Sequence, residues 1–176
     1  MDPLTESAIA IQPPGPGDAG IISRILERSI RTGGALDHRN NPCLVEAWLR
    51  HKGCKDVDRW LLDDALYLRL GWLHGKPAGV ALALTSGEIC LCYVQPECFR
   101  QGVGRALMLA MEGFLRRQGH RRAMLYSTGA ASGFHQRLGY RQTGRPLRLS
   151  GLLLVPMDKV LEDFNMGRGN GLVKRG

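Results

Sequence analysis

The sequence predicts an α/β fold of the α+β type, with a mixed, mostly antiparallel central sheet flanked by helices in the order β-α-α-β-β-β-α-β-α-β. Three observations predict it. Between Leu66 and Val94, three runs of alternating apolar residues are separated only by Gly75-Lys76 and Ser86-Gly87, the pattern of an antiparallel meander. A stretch with apolar residues at helical spacing, Val103 to Gln118, follows at once. The chain has 176 residues, 44% hydrophobic and 23% charged, the make-up of one globular domain. That length buries ~70% of the unfolded surface, so folding needs neither disulfides nor a metal.

The elements follow in order. Ala8-Ile9-Ala10-Ile11 reads as a first strand, closed by Pro13-Pro14-Gly15-Pro16. Asp18 can cap a helix whose Ile21, Ile22, Ile25 and Leu26 share a face until Gly33-Gly34 stops it. A second helix runs from Pro42 to about Lys52, with Leu44, Val45, Trp48 and Leu49 on one side, so Trp48 reads as core. Residues 53–64 are polar and unassigned. The meander strands are Leu66–Leu73, Gly79–Leu84 and Glu88–Val94. In the long helix Val103, Leu107, Ala110, Met111 and Phe114 face inward, and Gly119 ends it. Ala123–Ser127 is a strand, Ala130–Leu138 a short helix, and Leu147–Met157 a last strand pair. One domain spans residues 1–164, and the Gly-rich, basic residues 165–176 predict a flexible tail.

No apolar run approaches the ~18 residues of a membrane span, and the acidic start lacks the positive charge of a secretory signal. A cytoplasmic protein is expected. Five cysteines without a C-x-x-C pair (Cys43, Cys54, Cys90, Cys92 and Cys98) predict reduced core thiols. Cys90 and Cys92 then act as small hydrophobes in a strand. No metal is expected; a site on Cys90, Cys92 and Cys98 is the alternative.

The net charge of +8 is uneven: residues 100–148 hold ten arginines and a single acid, Glu112, whereas residues 1–99 are net negative. Arginine forks fit phosphate oxygens, so this segment suits a phosphorylated ligand. Arg116, Arg117, Arg121 and Arg122 read instead as a solvated face. A basic segment would also suit nucleic acid, but no nucleic-acid motif is present and 6% aromatic residues are few for base stacking.

The chemistry concentrates where a strand runs into Arg100-Gln101-Gly102-Val103-Gly104-Arg105-Ala106 and a helix opens. Gly102 and Gly104 let the backbone turn and a ligand approach closely. The free amides of the helix start, with the helix dipole behind them, form a seat for pyrophosphate. Leu107 stands where the dinucleotide fingerprint needs a third glycine, and the Gly-Lys-Ser/Thr of a nucleoside-triphosphate loop is absent.

With its flanks, this stretch resembles motif A of the GNAT superfamily, the N-acetyltransferases that use acetyl-coenzyme A. Leu91-Cys92-Tyr93-Val94-Gln95-Pro96 is similar to the strand before that motif's loop. Leu125 to Tyr140, with Phe134-His135-Gln136-Arg137-Leu138-Gly139-Tyr140 at its end, resembles motif B, and Val155-Pro156-Met157-Asp158-Lys159 the usual last strand. The likeness covers about residues 8–161. Two positions depart from it. Phe99 occupies a place usually held by Gln or Arg, and His135 one often held by a tyrosine.

The resemblance implies the GNAT fold and transfer of acetyl from acetyl-CoA to a primary amine, on a small molecule or a protein, by direct attack. It implies cofactor contacts from Cys92, Tyr93 and Val94, from Arg100, Gln101, Gly102, Val103, Gly104, Arg105 and Ala106, and from Ser127, Thr128 and Ser132. It further implies a catalytic pair. Glu88, fourteen residues before Gly102, is the candidate base, the alternative being a turn carboxylate facing water with ordered water as base. His135 is the candidate acid, because an imidazole with a pKa near ~6.5 is partly protonated at neutral pH. His38, His51, His74 and His120 are expected to be solvated. Acetyl-CoA and an amine acceptor are the expected partners, with a homodimer left open. The competing readings are a catalytically silent acyl-CoA-binding module and, behind it, a nucleic-acid-binding protein.

Overall fold

The computed structural model describes residues 8–161, so the tail expected at 165–176 lies outside the described residues. Strand β1 (Ile9–Gln12) pairs with β2 (Leu66–Leu73), β2 with β3 (Lys76–Leu84) and β3 with β4 (Ile89–Val94), all antiparallel. The β2–β3 turn is His74-Gly75, one residue earlier than expected. Both residues take positive φ, 50° and 74°, which suits the right-handed twist of a two-residue hairpin.

A second sheet holds β5 (Arg122–Thr128), β6 (Arg141–Gln142), β7 (Leu147–Leu149) and β8 (Leu152–Val160), with β8 pairing antiparallel with the other three. The two sheets meet at one point. Glu88 and Met124 form a single parallel bridge, and Met124 N–H donates to Gly87 O at 3.1 Å. Beyond that bridge β4 and β5 part without a ladder, leaving a wedge.

Helix α1 (Ala19–Arg28) continues into a π-helical turn, Ser29–Gly33, and then come α2 (Ala35–His38), α3 (Pro42–Leu49) and α4 (Cys54–Leu61). Helices α2 and α4 were not foreseen. Helix α4 lies in the polar stretch, where only Val57, Trp60 and Leu61 turn inward to pack with α1 and the sheet. Asp56 holds its start by accepting the Gly53 N–H at 3.2 Å. Helices α5 (Val103–Arg117) and α6 (Ser132–Arg137) complete the fold.

The first sheet separates two cores. Under α5, Val103, Leu107, Met108, Met111 and Leu115 pack on Ala81, Ala83 and Ile89 and reach Leu125 and Met157 of the second sheet. On the opposite face Ile22, Ile25 and Leu26 of α1 and Val57 of α4 cover Leu68, Leu70, Val80 and Leu82. Side chains alternate between faces along β2 and β3, so one sheet serves both layers. Inside the first core, Glu112 is 1% exposed and takes hydrogen bonds from Tyr140 Oη at 3.0 Å and from Lys159 Nζ at 2.9 and 3.0 Å. Arg116 adds an ion pair at 3.7 Å, so this arginine is half-buried and partnered instead of solvated.

All five cysteines are unpaired, and none is a fully buried core thiol as expected. Cys92 and Cys98 are half-buried and Cys90 is exposed. Cys90 has no partner on β3, because the register skips it between Leu82↔Leu91 and Ala83↔Ile89, a β-bulge. His38 also departs from expectation: it is 1% exposed, bonds Ile30 O through Nε2 at 2.9 Å, and accepts the Asn40 N–H at Nδ1. His120 likewise has a partner, Thr85 O at 2.7 Å. No helix among the described residues is long and apolar enough to cross a membrane.

Candidate active site

The wedge between β4 and β5 opens into a cavity of about 770 Å³. Its first wall is backbone. Gln95 N–H bonds Ala78 O on β3 at 2.8 Å, so by strand alternation the amides of Val94 and Cys92 point away from β3, into the wedge. Ser29 Oγ of the π-helical turn caps Val94 O at 2.8 Å, and Val94 N–H faces the opening without a strand partner. A π-helical turn at this spot fits the general tendency of such turns to sit at functional sites.

The second wall is the start of α5. Ala106 N–H is the first amide to bond back, to Gly102 O at 3.0 Å, which leaves Val103, Gly104 and Arg105 N–H free. Gly102 holds φ at 87°, and Arg100 before it is also left-handed at 59°. This turn needs glycine at 102, because an L side chain there is strained. Arg100, Arg105 and Arg137 line the same cavity. Free amides, the positive helix end and three guanidinium groups suit a pyrophosphate. The room at Gly104 is for the fold as much as for a ligand: a Cβ there would lie 3.2 Å from Phe134 Cζ and 3.5 Å from Val94 Cγ2.

The third wall is the end of β5 with α6. Ser127 Oγ lies 2.9 Å from His135 Nδ1 and donates to Thr128 O at 2.9 Å, and Ser132 Oγ bonds Thr128 O at 3.0 Å. His135 is 8% exposed, packed edge-on against Phe134 and Tyr140. Burial pushes its imidazole down to about 4. The ring is therefore neutral at neutral pH, not the partly protonated imidazole expected from the free side chain.

The remaining wall comes from residues 29–48. Trp48 is half-buried at the cavity wall, a correction to its reading as core, and its Nε1–H donates to Tyr93 Oη at 2.7 Å. Asp37 lines the cavity and accepts the Ala130 N–H through Oδ1 at 3.0 Å. Burial, with smaller contributions from Cys92 and Asp37 and against the Trp48 hydrogen bond, pushes the Tyr93 phenol above its ordinary range, so it stays protonated. Phe99 is 47% exposed and leans on the π-helical turn: a Cβ at Gly33 would lie 3.0 Å from its Cζ.

The wedge thus brings together Cys92, Tyr93, Val94, Arg100, Gly102, Val103, Gly104, Arg105, Ser127, Thr128 and His135. Gln101, Ala106 and Ser132 stand just outside its lining, and the Gln101 amide is turned to Glu97 O at 2.9 Å. Glu88 is not brought in. It sits at the closed vertex of the wedge, on the bridge to Met124, whereas the opening is at Val94 and Thr128. Asp37, Ser29, Phe134 and Arg137 were missed from sequence; Asp37 had no periodic or motif signal at all. Among the described residues no group of three or more His, Cys, Asp or Glu could hold a metal ion.

Comparison with known proteins agrees with this architecture. No curated protein matches the chain. Solved structures do. A GCN5-related N-acetyltransferase of Rhodopseudomonas palustris superposes with a TM-score of 0.77 at 24% identity, covering 91% of this chain and 100% of that one. An N-acetyltransferase of Thermoplasma acidophilum, solved in complex with coenzyme A, gives 0.72 at 15% identity over 88% of this chain and 99% of its own. An acetyltransferase structure from Salmonella typhimurium with acetyl-CoA gives 0.60 at 18% identity over 93% and 100%. At these identities the likeness shows the fold. The acetyltransferase (GNAT) domain pattern matches residues 59–161, more than half of the sequence and the part that builds most of the wedge. The chain belongs to the GNAT acetyltransferase family.

Proposed function

We propose that this protein is an N-acetyltransferase that moves an acetyl group from acetyl-CoA to a primary amine by direct attack. The observation that carries the reading is the wedge itself: an unpaired strand amide at Val94, free helix amides at Val103 to Arg105 and three arginines converge on one cavity. That donor set fits the two anionic and carbonyl ends of an acyl-CoA. The structures of two family members solved with coenzyme A or acetyl-CoA support the same ligand.

Residue roles follow from the geometry. The amides of Val103, Gly104 and Arg105, with Arg100 and Arg105, hold the pyrophosphate. Thr128, in the cavity lining and braced by the Ser127 and Ser132 hydroxyls, offers polar groups to the pantetheine arm. Acetyl-CoA supplies, when bound, an acetyl group activated as a thioester. Val94 and Cys92 N–H aim at the wedge, where a fixed amide polarises a carbonyl without reorganising. His135 is neutral at neutral pH and does not supply the proton of an imidazolium; with the Ser127 hydroxyl donating to Thr128 O, its Nδ1–H donates to Ser127 Oγ and Nε2 is left as an acceptor. Glu88 is not itself in the cavity lining, although its neighbours Ile89 and Cys90 are, which favours water over Glu88 as the group that takes the amine proton. The unpaired cysteines suit a reducing cytoplasm.

Thermal unfolding and a thiol-release assay test the reading together. Acetyl-CoA at millimolar concentration is expected to raise the melting temperature, since it binds the native state alone. Thiol release is expected to depend on at least one amine of a mixed panel. Stabilisation without release by any amine would favour the silent acyl-CoA-binding module. Absence of both effects would overturn the assignment of the ligand.

A further inference from the structure

We propose that Asp37, together with Trp48 and Tyr93, forms the acceptor subsite and selects an amine that arrives as a primary ammonium on an aromatic or apolar body. This rests on the acetyl-transfer reading and deepens it. The cavity is polarised. Arg100, Arg105 and Arg137 line it, yet among the described residues Asp37 is the one carboxylate in its lining. Among the described residues every ion pair leaves Asp37 out. Its Oδ1 is fixed by the Ala130 N–H, and no hydrogen bond among the described residues uses Oδ2.

A carboxylate with one oxygen left unused at the wall of a cavity is a ready partner for an incoming cation. The bond from Asp37 to Ala130 also ties α2 to the loop between β5 and α6, across 93 residues of chain, so the carboxylate is held in place before any ligand arrives. Next to it stand the two large aromatics of the wall. Trp48 donates to Tyr93 Oη, which fixes both rings at 6.4 Å between centroids. Aromatic rings attract an ammonium as well as an apolar body. Phe99, 47% exposed, adds an exposed apolar side chain to the cavity lining. A small inorganic or strongly anionic acceptor would find neither partner there.

The test is calorimetric binding of 2-phenylethylamine and of its neutral analogue 2-phenylethanol, to wild type and Asp37→Asn, at neutral pH. Asparagine keeps Oδ1 for the Ala130 N–H, so the tether survives and only the charge is lost. Wild type is expected to prefer the amine by about tenfold or more, the size of a charge-assisted contact, and Asp37→Asn is expected to erase the preference. Equal binding of amine and alcohol by wild type, or a preference kept in Asp37→Asn, overturns the proposal. Should Asp37→Asn fail to fold, added salt on wild type decides, because screening weakens a charged contact and spares the alcohol. Amine-dependent thiol release that is indifferent to Asp37→Asn sinks this subsite and leaves acetyl transfer standing. Charge-dependent amine binding without any thiol release does the reverse.

Discussion

Ser127 Oγ stands 2.9 Å from His135 Nδ1 at the open end of the wedge, joining the end of β5 to α6 through two buried polar groups. The contact gives the imidazole a neutral partner and no acid, so its desolvation is offset only in part, by the backbone at Ala131. Its pKa falls from 6.5 to about 4. Between those two values the unfolded chain binds a proton that the folded chain refuses. The stabilisation is therefore fully present above pH ~6.5 and is lost as the pH falls toward ~4, by up to about 3 kcal/mol. Urea unfolding at a series of pH values checks this. His135→Gln should flatten that part of the profile, and an unchanged slope would show that the imidazole titrates normally.

The same neutrality bears on catalysis. The rate profile between pH 6 and 8 should carry no limb that disappears in His135→Gln. Replacing His135 should lower the turnover number by only the value of a hydrogen bond, about tenfold, and not by the ~10²–10⁴ of general acid catalysis. A limb near pH 6.5 that vanishes with the histidine would restore the imidazolium role.

Gly102 begins α5 with φ at 87°. Gly102→Val should cost about 1–2 kcal/mol of stability from the left-handed backbone alone and weaken acetyl-CoA binding further by moving the free amides. Gly104→Ala meets Phe134 at 3.2 Å and carries no such backbone strain. Melting temperatures with and without acetyl-CoA separate the two, and equal behaviour of both variants would count against the phosphate seat.

Glu88→Gln tests where the amine proton goes. With Glu88 at the vertex of the wedge, turnover should stay within about threefold of wild type, far short of the ~10²–10⁴ that a general base contributes. A loss of that larger size, at unchanged acetyl-CoA affinity, would return the base role to this carboxylate.

The buried ionic cluster is a stability prediction. Glu112→Ala leaves Lys159 and Tyr140 without their acceptor, and removing one partner of a buried pair typically costs about 3–5 kcal/mol. Chemical denaturation should read that loss. Arg122→Ala, whose ion pair with Asp158 is 58% exposed on the arginine side, should change stability by less than about 1 kcal/mol.

How much of this was readable in the sequence depended on periodicity. The meander, α5 and the wedge-forming strands were legible because alternation and glycine punctuation act within a few residues. Helix α4 was not, since only Val57, Trp60 and Leu61 of its residues turn to the core. The glycine turn at the start of α5, proposed to seat phosphate, was legible from Gly102 and Gly104 standing at a strand-to-helix junction. Trp48 and Asp37 were not, because their place is set by the π-helical turn and by contacts to Tyr93 and Ala130, 45 and 93 residues away. Glu88 shows the limit of spacing: distance along β4 says how far a residue is from Gly102, but the single bridge to Met124 decides that it lies at the closed end. His135 was placed by its neighbours in sequence, whereas its charge state depended on burial that only packing reveals.

The most direct test of acetyl transfer is a stoichiometric one. Protein, acetyl-CoA and 2-phenylethylamine are incubated together, and released thiol, acetylated amine and the intact mass of the protein are measured in the same sample. The account predicts one acetamide per thiol released and a protein mass unchanged by acetyl-CoA alone. Thiol release without acetamide, or a protein that gains the acetyl group before any amine is added, would contradict direct transfer at the wedge.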